Sequence, residues 1–221
     1  MHRAGSTLRL LLSLLAFVAF AGGVLLLSGC GSSGSSKQTT TTSAAITTKA
    51  DYKAEAVLSP ATPEPPLKLR NYLGQPVNID SYSGKPVLIT FVYTHCPDVC
   101  PLMISNLRVA QNLMGANGAQ KAQVIAVSVD SKGDTPKTVT AFLKAHEMTG
   151  RMQYLIGSQK ELARVWKAWG VGSERDAKDP DFVEHSGLVY GITASGKRAV
   201  LYAASFKPAA IAHDVPLLAS N

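Results

Sequence analysis

The run Pro86-Val-Leu-Ile-Thr-Phe-Val-Tyr93 constrains this chain most, because it is almost continuously apolar and β-branched and passes straight into Thr94-His-Cys-Pro-Asp-Val-Cys-Pro101. A strand apolar on both faces belongs inside a partly parallel sheet with helices on each side. Pro101 is tolerated in the first turn of a helix, and Leu102, Met103, Leu107, Ala110 and Leu113 follow at helical spacing as far as the break at Gly115 to Gly118. Strand, cysteine loop and helix therefore form one unit, with both thiols at the helix N-terminus.

The alternation continues downstream. Gln123 to Val129 reads as a second buried strand, and Asp134-Thr135-Pro136 as a cap with Pro just inside a helix running to about His146. Tyr154 to Ile156 reads as a short strand and Ser158 to Trp169 as an amphipathic helix stopped by Gly170. Leu188 to Ile192 and Ala199 to Tyr202 flank the turn Ala194-Ser-Gly-Lys197, and Lys207 to Leu218 closes as a helix. Ahead of the first buried strand, Leu67 to Arg70 and Val77 to Ile79 read as a strand pair around Asn71-Tyr-Leu-Gly-Gln-Pro76. This order predicts an α/β fold, a mixed central sheet flanked by helices with an N-terminal strand-pair extension. In open sheets of this kind the site lies at the carboxyl ends of the strands, where the cysteines fall.

The first 50 residues are of another kind. Arg3 and Arg9 precede an uncharged stretch from Leu10 to Leu27 rich in Leu, Ala, Phe and Val, the pattern of an export signal. It ends in Leu27-Ser-Gly-Cys30, which resembles the lipobox of bacterial lipoproteins, so residues 1–30 are expected to be a signal peptide with Cys30 as the lipidated residue. The alternative is an uncleaved transmembrane anchor, since 18 residues reach the lower limit for spanning a bilayer. Both place the domain at the extracytoplasmic face of a cell membrane. Residues 31–50, mostly Ser, Thr, Gly and Ala, cannot bury enough surface to fold and are expected to be a flexible tether. The domain proper is residues 51–221. Without Arg3 and Arg9, the 22 Lys and Arg become 20 against 15 Asp and Glu, a formal charge of +5. These charges are scattered, without the basic stripe and interleaved aromatics of a nucleic-acid site.

With Cys30 in the leader, Cys96 and Cys100 have each other or a metal as partners. At a helix N-terminus the dipole and unpaired N–H groups lower a thiol's pKa. Three chemistries stand: soft-metal binding, disulfide exchange by a redox pair, or a structural disulfide. Thioredoxin-type oxidoreductases separate their cysteines by two residues; here there are three, so both sulfurs can turn to one ion as well as to each other. A peroxiredoxin fits poorly, since Tyr93 and Pro97, rather than Thr or Ser, stand three residues before the cysteines. Two thiolates leave an ion under-coordinated. Of the five histidines, His2 lies in the leader, His146 ends a helix, His213 sits on the last helix and His95 points away from its neighbour Cys96. His185, in Asp181-Phe-Val-Glu-His-Ser-Gly-Leu-Val-Tyr-Gly-Ile192, lies just before a strand, at a loop on a sheet edge or end; spacing leaves it open whether it is a ligand or a loop histidine.

Three segments in order, Phe91 to Pro101, Ser128-Val-Asp-Ser-Lys-Gly-Asp-Thr-Pro136 and Val183-Glu-His-Ser-Gly-Leu-Val-Tyr190 with Ser195-Gly196 after it, resemble the Sco/SenC family over roughly Leu67 to Ala212. The resemblance implies a membrane-anchored, thioredoxin-like domain that binds one copper, as Cu(I) or Cu(II), through Cys96, Cys100 and His185. It also implies a role in assembling the copper centre of cytochrome c oxidase, by delivering copper as a chaperone or by keeping that centre's cysteines reduced. Partners would be the oxidase subunit that carries the centre, other copper chaperones and thiol reductants. Chaperone and thiol-disulfide oxidoreductase both remain open as functions. Asp130 and Asp134 match acidic positions of the middle motif and are expected to support the loop, while Met103 is expected in the core.

Overall fold

The computed structural model describes residues 51–119, 122–175 and 183–221. The expected leader, tether and lipidated Cys30 lie outside the described residues. In chain order the elements are β1 (Ala56–Pro63), β2 (Lys68–Asn71), β3 (Pro76–Asn78), a 3-10 turn (Ile79–Tyr82), β4 (Val87–Val92), α1 (Val99–Ala119), β5 (Gln123–Ser128), α2 (Pro136–Ala145) and β6 (Gln153–Ile156). They continue with α3 (Gln159–Trp169), β7 (Ser173–Arg175), β8 (Val183–His185), β9 (Leu188–Ile192), β10 (Lys197–Ala203) and α4 (Pro208–Ala219). Among the described residues, eight strands form one sheet in the order β1-β10-β9-β4-β5-β6-β2-β3, and β7 with β8 forms a separate pair.

The apolar run is the sheet's interior. β4 lies parallel to β5 and antiparallel to β9, and all six of its residues are buried. Each such Val, Leu, Ile or Phe contributes about 1.5–3 kcal/mol relative to exposure, so no edge position could hold this strand as well. The helices start and stop where local chemistry directs. Thr135 and Thr138 form reciprocal caps on α2 with Pro136 in the first turn, Ser158 and Glu161 do the same for α3, and Gly170 ends α3 at φ 68°. Gly115, at φ 67°, breaks α1 at the start of the expected glycine break. The expected strand pair is β2 with β3, antiparallel at one end of the sheet.

Two features depart from the expectation. β1 was not foreseen; it pairs antiparallel with β10, with its register shifting between Val57 and Thr62. Its prolines are tolerated because it is an edge strand. The chain before it is pinned by Asp214 on α4, a fully buried carboxylate that accepts the Lys53 N–H at 2.8 and 3.0 Å and the Tyr202 hydroxyl at 2.9 Å. The second departure is β7–β8. His185 does not sit in a loop at an edge of the main sheet; it ends β8 in a small hairpin of its own, opposite Ser173.

Candidate functional site

β4 delivers the chain at its carboxyl end to Tyr93, and the turn that follows brings Cys96 round to the first turn of α1, which contains Cys100. Both cysteines are buried free thiols. The Cys96 N–H donates to the Tyr93 carbonyl at 3.4 Å, and the Cys100 N–H donates to Cys96 Sγ at 3.4 Å. The opening N–H groups of α1 are thus turned on one sulfur, the arrangement that stabilises a thiolate.

The two thiols differ sharply as a result. Cys96 is lowered to about 4, first by the hydrogen bond from Cys100, then by His185 and the N–H groups of Asp98 and Cys100, against the opposing effect of burial. Cys100 moves the other way, raised because it donates to Cys96 and is itself buried. Cys96 is therefore the more acidic thiol of the pair and Cys100 the one that keeps its proton longer.

His185 reaches this pair from across the fold. Its Nε2 stands 3.8 Å from Cys100 Sγ. Nδ1 lies 3.3 Å from the Ser186 carbonyl, which can only accept from it, so in the neutral tautomer protonated at Nδ1 the Nε2 lone pair is offered to an ion at the sulfurs. The approach depends on Gly187: a Cβ there would meet the Ala204 Cβ at 3.2 Å, Met103 Sδ at 3.7 Å and Val99 Cγ2 at 3.9 Å. The strap that follows His185 lies directly on the first turn of α1 because that residue has no side chain. The Thr90 hydroxyl, donating to the Leu188 carbonyl at 3.0 Å, ties the strap's far end to β4.

These donors suit a soft metal ion. Bonds of about 2.3 Å to sulfur and 2.0 Å to nitrogen, meeting at about 120°, put the two atoms about 3.7 Å apart, close to the 3.8 Å between Cys100 Sγ and His185 Nε2. Among the described residues no group of three or more His, Cys, Asp or Glu forms a ready-made cage. Cys100 Sγ is in contact with His185 Nε2, and the Cys100 N–H bonds Cys96 Sγ, so an arriving ion would have to draw the three donors together.

The other expected residues fall as follows. Asp134 supports the cysteine loop: Oδ1 accepts the Thr94 N–H and hydroxyl, each at 2.8 Å, and Oδ2 accepts the Tyr154 hydroxyl at 2.8 Å. Burial raises its pKa. Asp130 accepts the Lys132 N–H within its own turn, Met103 is fully buried in the core, and His95 is exposed, its Nδ1 3.2 Å from the Thr94 hydroxyl. His146 packs its ring on Phe142 and His213 pairs with Asp214, both away from the thiols. Sequence reasoning missed Tyr93. Its phenol is buried, its ring meets His185 edge-on at 5.8 Å, and its oxygen accepts the Val183 N–H at 3.4 Å. A tyrosine at the end of a fully buried strand needs a partner for its hydroxyl, and that need was the available signal.

Comparison with known proteins bears on this arrangement. A family model described as SCO1/SenC matches residues 56–220. The mitochondrial protein SCO1 homolog of Mus musculus is 27% identical over 154 residues, covering 68% of this chain and 54% of that protein. The chain spans about half the length of the curated relatives it matches. Among solved structures, copper-bound ScoI of Bradyrhizobium japonicum is 31% identical, with a TM-score of 0.63 over 72% of this chain and 99% of that one. Apo Sco1 of Thermus thermophilus is 26% identical, with a TM-score of 0.64 over 78% and 99%. The fold is the thioredoxin-like α/β arrangement of these proteins.

Proposed function

Because the chain belongs to the SCO1/SenC family, we propose that it is a membrane-anchored copper chaperone that helps assemble the copper centre of cytochrome c oxidase. One observation carries this most directly: an imidazole from a separate hairpin, 85 residues away in sequence, rests 3.8 Å from a buried thiol of the CxxxC pair. Copper is the cargo, and the proposed ligands are Cys96, Cys100 and His185. Thiolates favour Cu(I), and an added imidazole nitrogen makes Cu(II) acceptable too. Cys30 would carry the lipid that holds the domain at the extracytoplasmic face. A tether of about 20 residues gives an r.m.s. reach of roughly 25 Å, enough to search for membrane-bound recipients such as the oxidase's copper subunit and other chaperones.

A second reading, a thiol-disulfide oxidoreductase that keeps exported cysteines reduced, has its own support in the asymmetry of the thiols. A thiolate at Cys96 beside a protonated Cys100 is the poise for attack and resolution. Against it, thioredoxin-like oxidoreductases usually place a proline beside the redox pair just before a late strand, and here Glu184-His-Ser-Gly187 occupies that place.

The test is copper stoichiometry and absorption of the reduced domain in the parent, Cys96→Ser, Cys100→Ser and His185→Ala. One copper per chain, with sharply weaker binding in every variant and the fold intact, is the expected outcome. Unchanged affinity in His185→Ala would sink the ligand assignment.

A further inference from the structure

The cysteine loop and the β7–β8 hairpin share no main-sheet pairing, yet the proposed copper site needs their donors together. One residue touches both. Tyr93 follows the last residue of β4 and is almost fully buried. Its phenol oxygen accepts the Val183 N–H, at the first residue of β8, at 3.4 Å. Its ring meets the His185 imidazole edge to face, centroids 5.8 Å apart at 82°. On the other side, its backbone carbonyl accepts the Cys96 N–H at 3.4 Å. Tyr93 therefore joins the hairpin that carries His185 to the loop that carries the cysteines.

We propose that Tyr93 is the positioning residue that locks the histidine hairpin to the cysteine loop and so holds the His185 imidazole beside the sulfurs. The effect on copper rests on the copper reading above; the lock does not. A phenol oxygen that accepts the Val183 N–H fixes the start of β8 against the end of β4, and the ring packs against the imidazole two residues further on. Phenylalanine at this position would fill the same space and keep the ring contact, but would leave the Val183 N–H without its acceptor.

Tyr93→Phe tests the lock and its effect on the site. In the metal-free, reduced domain, hydrogen exchange at the Val183 amide should accelerate about tenfold or more, while amides of β4 and β5 keep their parent rates. In the copper(II) form, the charge-transfer absorption should shift as the imidazole is held less firmly, and copper affinity should fall about three- to tenfold. Tyr93→Leu, which also removes the ring, should lose more affinity than Tyr93→Phe. Absorption and affinity both unchanged in Tyr93→Phe overturn the positioning of His185 even if exchange accelerates, because a hairpin that only loosens away from the site would leave both alone. Unchanged exchange at Val183 overturns the lock. A parent domain that takes up no copper instead removes the proposed function, and the exchange measurement still decides the lock.

Discussion

Gly187→Ala is the smallest change that should separate the site from the fold. No left-handed backbone is required at this position, so alanine brings no conformational strain; the whole effect comes from the added carbon. That carbon would stand 3.2 Å from the Ala204 Cβ, while Met103 Sδ at 3.7 Å and Val99 Cγ2 at 3.9 Å would be ordinary contacts. Carbon atoms prefer about 3.5–4.0 Å, so the strap must yield by about 0.5 Å, and neither Cβ can swing aside. The overpacking should cost about 1 kcal/mol, the low end for such insertions. The same displacement acts on His185, two residues away, whose Nε2 would move from 3.8 Å to beyond 4 Å from Cys100 Sγ. Sites of this kind tolerate about 0.5 Å before losing function, so copper affinity should fall about tenfold. The assay pairs competition against a chromophoric Cu(I) chelator with urea unfolding followed by tryptophan fluorescence. Gly191→Ala is the control: its Cβ would run into Val200 Cγ2 and lie 3.1 Å from Leu218 Cδ1, between β10 and α4 and away from the site. It should lose about 1–3 kcal/mol of stability and keep the parent's copper affinity while folded. Copper affinity in Gly187→Ala within twofold of the parent, or an equal drop in both variants, would refute the reasoning.

Three further outcomes are expected. Burial raises the Asp134 pKa, so the folded chain holds that proton to higher pH than the unfolded chain, and the resulting stabilisation is full below about pH 4 and fades as pH rises through the folded pKa. Asp134→Asn has no such dependence, so its urea midpoint relative to the parent should improve from pH 4 to pH 7; a constant gap contradicts the assignment. With Cys96 lowered to about 4 and Cys100 raised, brief iodoacetamide treatment of the metal-free domain at pH 6 should label Cys96 well ahead of Cys100 in a peptide map, and equal labelling would count against the asymmetry. Asp214→Ala leaves the Lys53 N–H and the Tyr202 hydroxyl without their buried acceptor, which should cost about 2–3 kcal/mol and expose the chain near Lys53 to protease; a loss under about 1 kcal/mol means the latch carries little.

What the sequence revealed and hid has a physical pattern. β4, β5, α2 and α3 were legible because their signals are local: continuous apolar runs, a proline in a first turn, reciprocal caps at Thr135 and Ser158, a left-handed glycine at the end of α3. β1 was not legible, since its prolines argue against a strand and what holds it is β10, far along the chain. β7 and β8 are three residues each, too short for periodicity to register, and only their pairing makes them strands. The two thiols could be picked out directly, but His185 was reached through family resemblance, because spacing says nothing about which distant segment folds back. Tyr93 and Gly187 matter only once the hairpin's place is known, one as the contact between loops and the other as the gap that lets them meet.

The two functional readings share their first step and part at the histidine. A thiolate at Cys96 is the group that would attack a disulfide and equally the group that would first meet a soft ion. Cys100 follows in either case, by giving up its proton to resolve a mixed disulfide or to complete the pair of thiolate ligands. Thiol exchange has no use for a lone pair held beside the sulfurs, whereas a copper site with two thiolates lacks a ligand without one. Removing the imidazole should therefore act in opposite ways on the two activities. If the domain is a chaperone, His185→Ala should lose copper affinity by about 100-fold or more, beyond the 10- to 100-fold typical of second-shell partners, while its reduced thiols still exchange with a small disulfide. Little change in copper uptake together with a loss of exchange in the same variant would instead reverse the order in which the two readings stand.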